Sequence, residues 1–262
     1  MNLKRIIFIL VLFSPLALLP SLSNSDDLAE TQARFGMITG DVGLLAQGAK
    51  DWIEPHEGLP IEIGDEIRTG EDGRVELVLS DNAVWLLESE SHVVAERMDT
   101  NTGRLQLSSG TLVGKVDTAR VAGTVQRWEF DTPAAVASVH GTEFGLVVSK
   151  KEGTHLGVFE GIVDLEPAET AEGLQPPIQV ASGHEGVSKR GRPIQTLGKF
   201  GPAMQAIAAA VPAFRRRVRQ IQNTWSPFTP ATRLEARRKF VAIVPKSKAI
   251  PRPRQKKKIP VE

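Results

Sequence analysis

Gly64-Asp65-Glu66-Ile67-Arg68-Thr69-Gly70-Glu71-Asp72-Gly73-Arg74-Val75-Glu76-Leu77-Val78-Leu79 packs two turns and an alternating strand into sixteen residues. Val75, Leu77 and Leu79 share one face, and Glu76 and Val78 share the other, the period of a pleated strand. Gly70-Glu71-Asp72-Gly73 before this strand and Ser80-Asp81-Asn82 after it are clusters of turn-forming residues. The same grammar continues on both sides. Val84 to Leu87 starts another run, Thr100-Asn101-Thr102-Gly103 turns into Leu105-Gln106-Leu107, and Ser108-Ser109-Gly110 turns into Leu112-Val113. Trp128 and Phe130 alternate before a break at Thr132-Pro133. Ala135, Ala137 and Val139 lead to Gly141, and Phe144 to Val148 resumes the strand pattern. Leu156 to Leu165 and Ile178 to Val180 add short runs. Short strands with regular turn signals, and no helix-length amphipathic stretch between Phe35 and Arg192, predict an all-β sandwich or roll of short antiparallel strands. Leu105–Val113 and Leu156–Val163 resemble each other, as two copies of a hairpin, two solenoid rungs or a coincidence between hairpins.

The rest of the chain divides around this body. Lys4 and Arg5 precede an apolar run from Ile6 to Leu19, and small residues follow at Ser21, Ser23 and Ser25. This reads as a signal peptide over residues 1–25, with a retained anchor as the alternative. The apolar run falls short of the roughly 20 residues of a bilayer span. The expected locality is therefore the periplasm or cell envelope. The β domain is expected over residues 35–195 and a basic tail, part helical and part disordered, over residues 196–262. In that tail Gly201-Pro202 starts a helix pattern, Pro212 is expected to break or kink it, and Phe214, Val218, Ile221 and Trp225 form one stripe. Thr232 to Ala242 suggests a second short helix capped by Thr232, with Glu235 three residues on.

Charge follows the same division. Up to Gln195 there are 16 Lys/Arg against 29 Asp/Glu, and from Thr196 onward 16 against 2, although the whole chain is only +1. An acidic body with a basic tail points to an anionic partner for the tail, with a solvated flexible tail as the alternative. Arg215, Arg216, Arg217 and Arg219 are the candidate contacts, to an anionic membrane, a cell-wall surface or the acidic body of the same protein. Nucleic acid suits this charge but not the expected compartment.

Catalytic chemistry is hard to find. There is no cysteine, which excludes disulfides and thiolate metal sites. His56, His92, His140, His155 and His184 show no metal-ligand spacing. There is no nucleophile-elbow or phosphate-loop motif. No catalytic residue, cofactor or metal is assigned. Trp85 and the other tryptophans are read as core residues before sugar-stacking ones.

Four stretches carry a resemblance. Gly64-Asp65-Glu66-Ile67-Arg68-Thr69-Gly70, with the alternating strand and the Asp81 turn, resembles the opening of the FecR domain. Thr132-Pro133-Ala134-Ala135-Val136-Ala137-Ser138-Val139-His140-Gly141-Thr142-Glu143-Phe144 is similar to its T-P-x-A-x-x-x-V-R-G-T-E-F motif, with His140 in place of arginine. Val158-Phe159-Glu160-Gly161-Ile162-Val163 is similar to V-x-E-G-x-V. Val180 to Glu185 matches a later glycine turn, with His184-Glu185 in place of glutamine. Gly64, Asp65, Thr69, Gly70, Asp81, Gly141, Thr142, Glu143, Phe144 and Gly161 are the motif residues. Bottom-up chemistry reads them as turn formers before ligand contacts. The resemblance implies a non-catalytic binding or sensing module of the envelope with a protein or polysaccharide partner. Members of the family include regulators that relay signals from outer-membrane receptors to sigma factors, so a signal-relay role is the alternative. A glycan-acting envelope enzyme is a further one.

Overall fold

The computed structural model describes residues 32–80, 82–98, 102–117, 127–168 and 176–243. The expected signal segment, the Asp81 position and the chain after residue 243 lie outside them.

Among the described residues fifteen strands and two helices follow in order: β1 (Arg34–Thr39), β2 (Val42–Leu45), β3 (Glu66–Thr69), β4 (Arg74–Val78), β5 (Ala83–Leu87), β6 (His92–Met98), β7 (Thr102–Val116), β8 (Arg127–Asp131), β9 (Ala135–Val139), β10 (Glu143–Ser149), β11 (Gly153–Glu160), β12 (Ile162–Pro167), β13 (Ile178–Ala181), β14 (Glu185–Ser188), β15 (Gln195–Leu197), α1 (Pro202–Thr224) and α2 (Pro230–Ile243). They make two facing layers. One runs β1-β4-β5-β7-β10-β11-β14-β15. The other runs β2-β3-β6-β7-β8-β9-β12-β13. β7 belongs to both: Gly103–Ser109 pair with β6, and Gly110–Lys115 pair with β10.

The all-β class holds, with two departures from short antiparallel strands. β7 is 15 residues long and passes straight through the expected Ser108-Ser109-Gly110 turn. It bends there instead, at Gly110 with φ 96°. β7 and β8 are parallel, while the other strand pairs are antiparallel.

The chain changes layer repeatedly at residues with positive φ. Gly40 lies between β1 and β2, Glu90 between β5 and β6, Gly141 between β9 and β10, Gly161 between β11 and β12, and Gly183 between β13 and β14. The two similar stretches of sequence therefore share a structural meaning that is not a hairpin. Leu105–Val113 crosses between layers at Gly110, and Leu156–Val163 crosses at Gly161. Both crossings need a left-handed backbone, which glycine adopts without steric penalty.

The alternating faces meet between the layers. Phe35, Leu77, Trp85, Phe130 and Phe144 are fully buried there. Trp85 lies edge-on to Trp128, with ring centres 4.8 Å apart, and to Phe130 at 5.1 Å, the tilted geometry that aromatic quadrupoles favour. Every residue of β5 is buried, because α1 covers the outer side of its layer. Val78, Val84, Leu86 and Val113 meet Phe214, Val218 and Ile221 of α1 in a second, smaller core.

α1 does not break at Pro212. The proline is exposed, so its ring lies on the solvent side of the helix. Met204, Val211, Phe214, Val218 and Ile221 carry one buried stripe across it, and packing outweighs the local cost. α2 starts earlier than expected. Thr229, not Thr232, sits before its first turn, and the two threonines exchange bonds: Thr229 N–H donates to Thr232 Oγ1 at 3.0 Å and Thr232 N–H to Thr229 Oγ1 at 3.2 Å.

Candidate functional site: motif corners under the C-terminal helices

The motif residues before β3 form a tight corner. Gly64 has φ 87°, and Asp65 behind it is fully buried. The Asp65 carboxylate accepts from Glu62 N–H at 2.9 Å and Gln47 N–H at 3.1 Å. Thr69 Oγ1 donates to the Glu88 carbonyl at 2.6 Å and accepts from Ser91 N–H at 2.9 Å, tying β3 to the β5–β6 connection. Gly70 N–H donates to the Asp41 carbonyl at 2.8 Å, and a Cβ on Gly70 would press on the Asp41 side chain at 2.6 Å. These are the turn roles that such residue types perform.

The second corner precedes β10. Gly141 has φ 62°. Thr142 and Glu143 are buried, and Phe144 enters the main core against Phe130, with ring centres 5.0 Å apart. A Cβ on Gly161, across the corner, would meet the Thr142 methyl at 2.7 Å. Among the described residues, Thr142 Oγ1 and Glu143 Oε1 are buried without a hydrogen-bond partner.

The buried acids are answered by arginines of the C-terminal helices. Arg215 donates through Nε (2.7 Å) and Nη2 to Glu143 Oε2. Arg217 grips Glu76 of β4 with two bonds, Nε to Oε1 at 2.7 Å and Nη2 to Oε2 at 2.9 Å. This is the fork geometry that suits guanidinium to carboxylate. Arg237 of α2 donates to both Asp65 oxygens, at 2.6 and 2.8 Å, and to the Pro60 carbonyl at 2.9 Å. Arg233 pairs with Glu62. Burial pushes the Asp65 carboxyl above its ordinary range, against the pull of Arg237 and the two backbone N–H groups. The bonds to Glu143 and to Glu76 hold the Arg215 and Arg217 guanidiniums above their ordinary values.

Two further contacts fix the helices. Glu185 of β14, nearly fully buried, accepts from Gly201 N–H at the start of α1 and from His155 Nδ1, both at 2.6 Å. Arg34 lies over Trp225 and Phe228, 4.2 and 3.8 Å from the ring centres, and donates to the Ser226 carbonyl at 2.8 Å in the α1–α2 connection.

The four candidate arginines of the tail thus divide. Arg215 and Arg217 face the body, and Arg216 and Arg219 are exposed. Sequence reasoning gives Arg233, Arg237, Glu76 and Glu185 no site role. The +14 tail beside a −13 body carried that signal, but charge balance does not say which residues meet. Among the described residues no group of three acids or histidines could hold a metal, and no helix is long and apolar enough to cross a membrane.

Residues 65–164 match the model of the family described as FecR protein, which takes in the Asp65, Glu143 and Gly161 corners. No curated protein matches the sequence. Two crystal structures of a candidate anti-sigma factor from Parabacteroides distasonis ATCC 8503 are similar at 14% identity and a TM-score of 0.44. One covers 55% of this chain and 64% of that one, and the other 56% and 63%. This chain thus spans less than two thirds of the length of that protein. Residues 65–164 thus match the FecR family model, and the acids of the motif corners in this stretch are held by arginines from the helices that follow it.

Proposed function

We infer that this protein is a non-catalytic FecR-domain binding module of the bacterial cell envelope, exported by its N-terminal segment and serving a cell-surface signal relay through a protein partner. The FecR match over residues 65–164 carries this reading. The chemistry of the motif acids supports it. Asp65 and Glu143 sit at corners, buried and engaged by arginine, which suits positioning of the fold and not proton transfer to a substrate. Fractionation of expressing cells, with the mature N-terminus read by mass spectrometry, tests export. Recovery outside the cytoplasm with a start near Ser25 is expected, and a cytosolic chain that retains Met1 would overturn it. Photo-cross-linking in the envelope fraction then tests for the protein partner, and transfer of label only to polysaccharide would replace it with the other ligand class.

A second reading rests on the exposed arginines. Arg216 and Arg219 point away from the body, so they remain available to an anionic membrane or cell-wall surface. Each such cation contributes about 1 kcal/mol near an anionic layer. Co-sedimentation with anionic vesicles in low salt is expected to fall in the Arg216→Gln/Arg219→Gln variant, and unchanged binding would remove this role.

A further inference from the structure

The surface beneath α1 has the features of a groove built to receive a helix. Its floor is the apolar strip Val78, Val84, Leu86 and Val113. At one end Gly145 and Gly157 stand opposite each other in β10 and β11 and leave a trough for Met204. A Cβ on Gly157 would run into that side chain, and one on Gly145 would come within 3.2 Å of its sulfur. On the two flanks lie Glu76 and Glu143, 3% and 0% exposed. The floor reads apolar residues at helical spacing, and the flanks read arginines beside them.

The present occupant is a separable piece. The main core between the layers draws almost wholly on strands and loops, with Phe240 the one helical side chain among its buried members. α1 joins the body through Gly198-Lys199-Phe200-Gly201, where a Cβ on Gly198 would meet nothing. The helix has no side-chain cap at its start and no acidic residue in its first turn, so little beyond docking stabilises it. Among the described residues, Glu143 Oε1 stays buried and without a hydrogen bond even with Arg215 in place, so the α1 arginine does not exhaust what the groove offers.

We propose that α1 is a displaceable cover, and that the groove under it is the binding site for an arginine-bearing amphipathic helix of the protein partner. This rests on the binding-module reading and names its site. Charge complementarity selects the occupant. Two buried carboxylates flanking an apolar strip penalise any helix that leaves them unpaired, so the groove discriminates for cationic helices. While α1 is docked, a partner helix binds only to the fraction of molecules whose groove is open, and its apparent affinity falls by that fraction.

The probe is a fluorescent synthetic peptide of residues 202–224, titrated into the full chain and into the full-chain Arg215→Gln/Arg217→Gln variant. The variant is expected to bind the peptide about tenfold or more tightly than the wild-type chain, because its own cover is loosened. A peptide with glutamine at the same two positions is expected to lose that gain. Hydrogen exchange on the variant is expected to show α1 unprotected while β7 and β10 stay protected. Phe214→Ala opens the groove from its apolar side and is expected to give the same peptide binding with both arginines intact. Retained protection of α1 in the arginine variant, or equal peptide affinity for all three proteins, overturns the proposal. Self-association of the wild-type chain that the peptide abolishes would overturn the assignment to a partner and give the groove to a second copy. Failure here leaves export and envelope cross-linking unaffected, and failure of those leaves the peptide result standing.

Discussion

Gly110 and Gly191 both adopt left-handed backbone, with φ 96° and 69°, yet they differ in surroundings. A Cβ on Gly110 would run into the Ser91 backbone, while one on Gly191 would meet nothing within 4 Å. Gly191→Ala therefore bears only the conformational cost, about 1 kcal/mol. Gly110→Ala adds overpacking and is expected to lose about 2 kcal/mol or more, read from urea unfolding of the two variants side by side. Asp65 sets a pH dependence at the same scale. Its folded pKa lies above its ordinary value of 3.8, so the folded state binds this proton more tightly than the unfolded chain does. The sign follows by linkage: its contribution is fully present below pH 3.8 and is lost as pH rises through the raised folded pKa. Relative to Asp65→Asn, the wild-type chain is expected to be favoured most in acid, with the difference shrinking as pH rises from about 3 toward neutrality. Chemical denaturation of both proteins across that range checks the slope. A difference that widens with pH would contradict the assignment.

At the scale of the element, α1 is held by an apolar stripe and two ion pairs, and these respond differently to change. Phe214 is almost fully buried in the second core, so Phe214→Ala is expected to cost about 3 kcal/mol of docking. The loss should show as reduced helical signal in circular dichroism, with strand signal retained. Arg217→Ala strands Glu76, which keeps a bond from Met37 N–H at 3.0 Å. Removing one partner of a fully buried pair costs about 3–5 kcal/mol, but Arg217 is more than a third exposed, and about 2 kcal/mol is expected. Adding Glu76→Gln to Arg217→Ala should recover part of that loss, because the stranded charge is gone, and a double-mutant cycle measures the coupling. The helix stripe itself was legible in sequence from Phe214, Val218 and Ile221. Its continuity through Pro212 was not, because a helix survives proline only when tertiary packing on both sides outweighs the lost bond.

On the scale of the whole molecule, β7 ties the two layers into one unit, so they are expected to unfold together in a single transition by fluorescence of the buried tryptophans. A chain ending at Gln195 would expose Val78, Val84, Leu86 and Val113 and leave Glu76 and Glu143 without their arginines. It is expected to bind a hydrophobic dye and to aggregate where the full chain does not, measured by dye fluorescence and light scattering. The residues after 195 thus act as part of the fold as far as α2. In sequence they look like a tail because their charge opposes that of the body and their stripe has no visible partner.

Local chemistry is what the amino-acid sequence determined unaided. The alternation of Val75, Leu77 and Leu79, the glycine corners at Gly64, Gly141 and Gly161, and the α1 stripe each depend on neighbours a few residues away. Which layer each strand joins, the bend that carries β7 through both, and the pairing of Arg215 with Glu143, Arg217 with Glu76 and Arg237 with Asp65 were decided only in three dimensions. These contacts join residues 72 to 172 positions apart. A carboxylate and a guanidinium at such separations carry no mark of each other along the chain, and only the packing that buries the acid selects the arginine that must meet it.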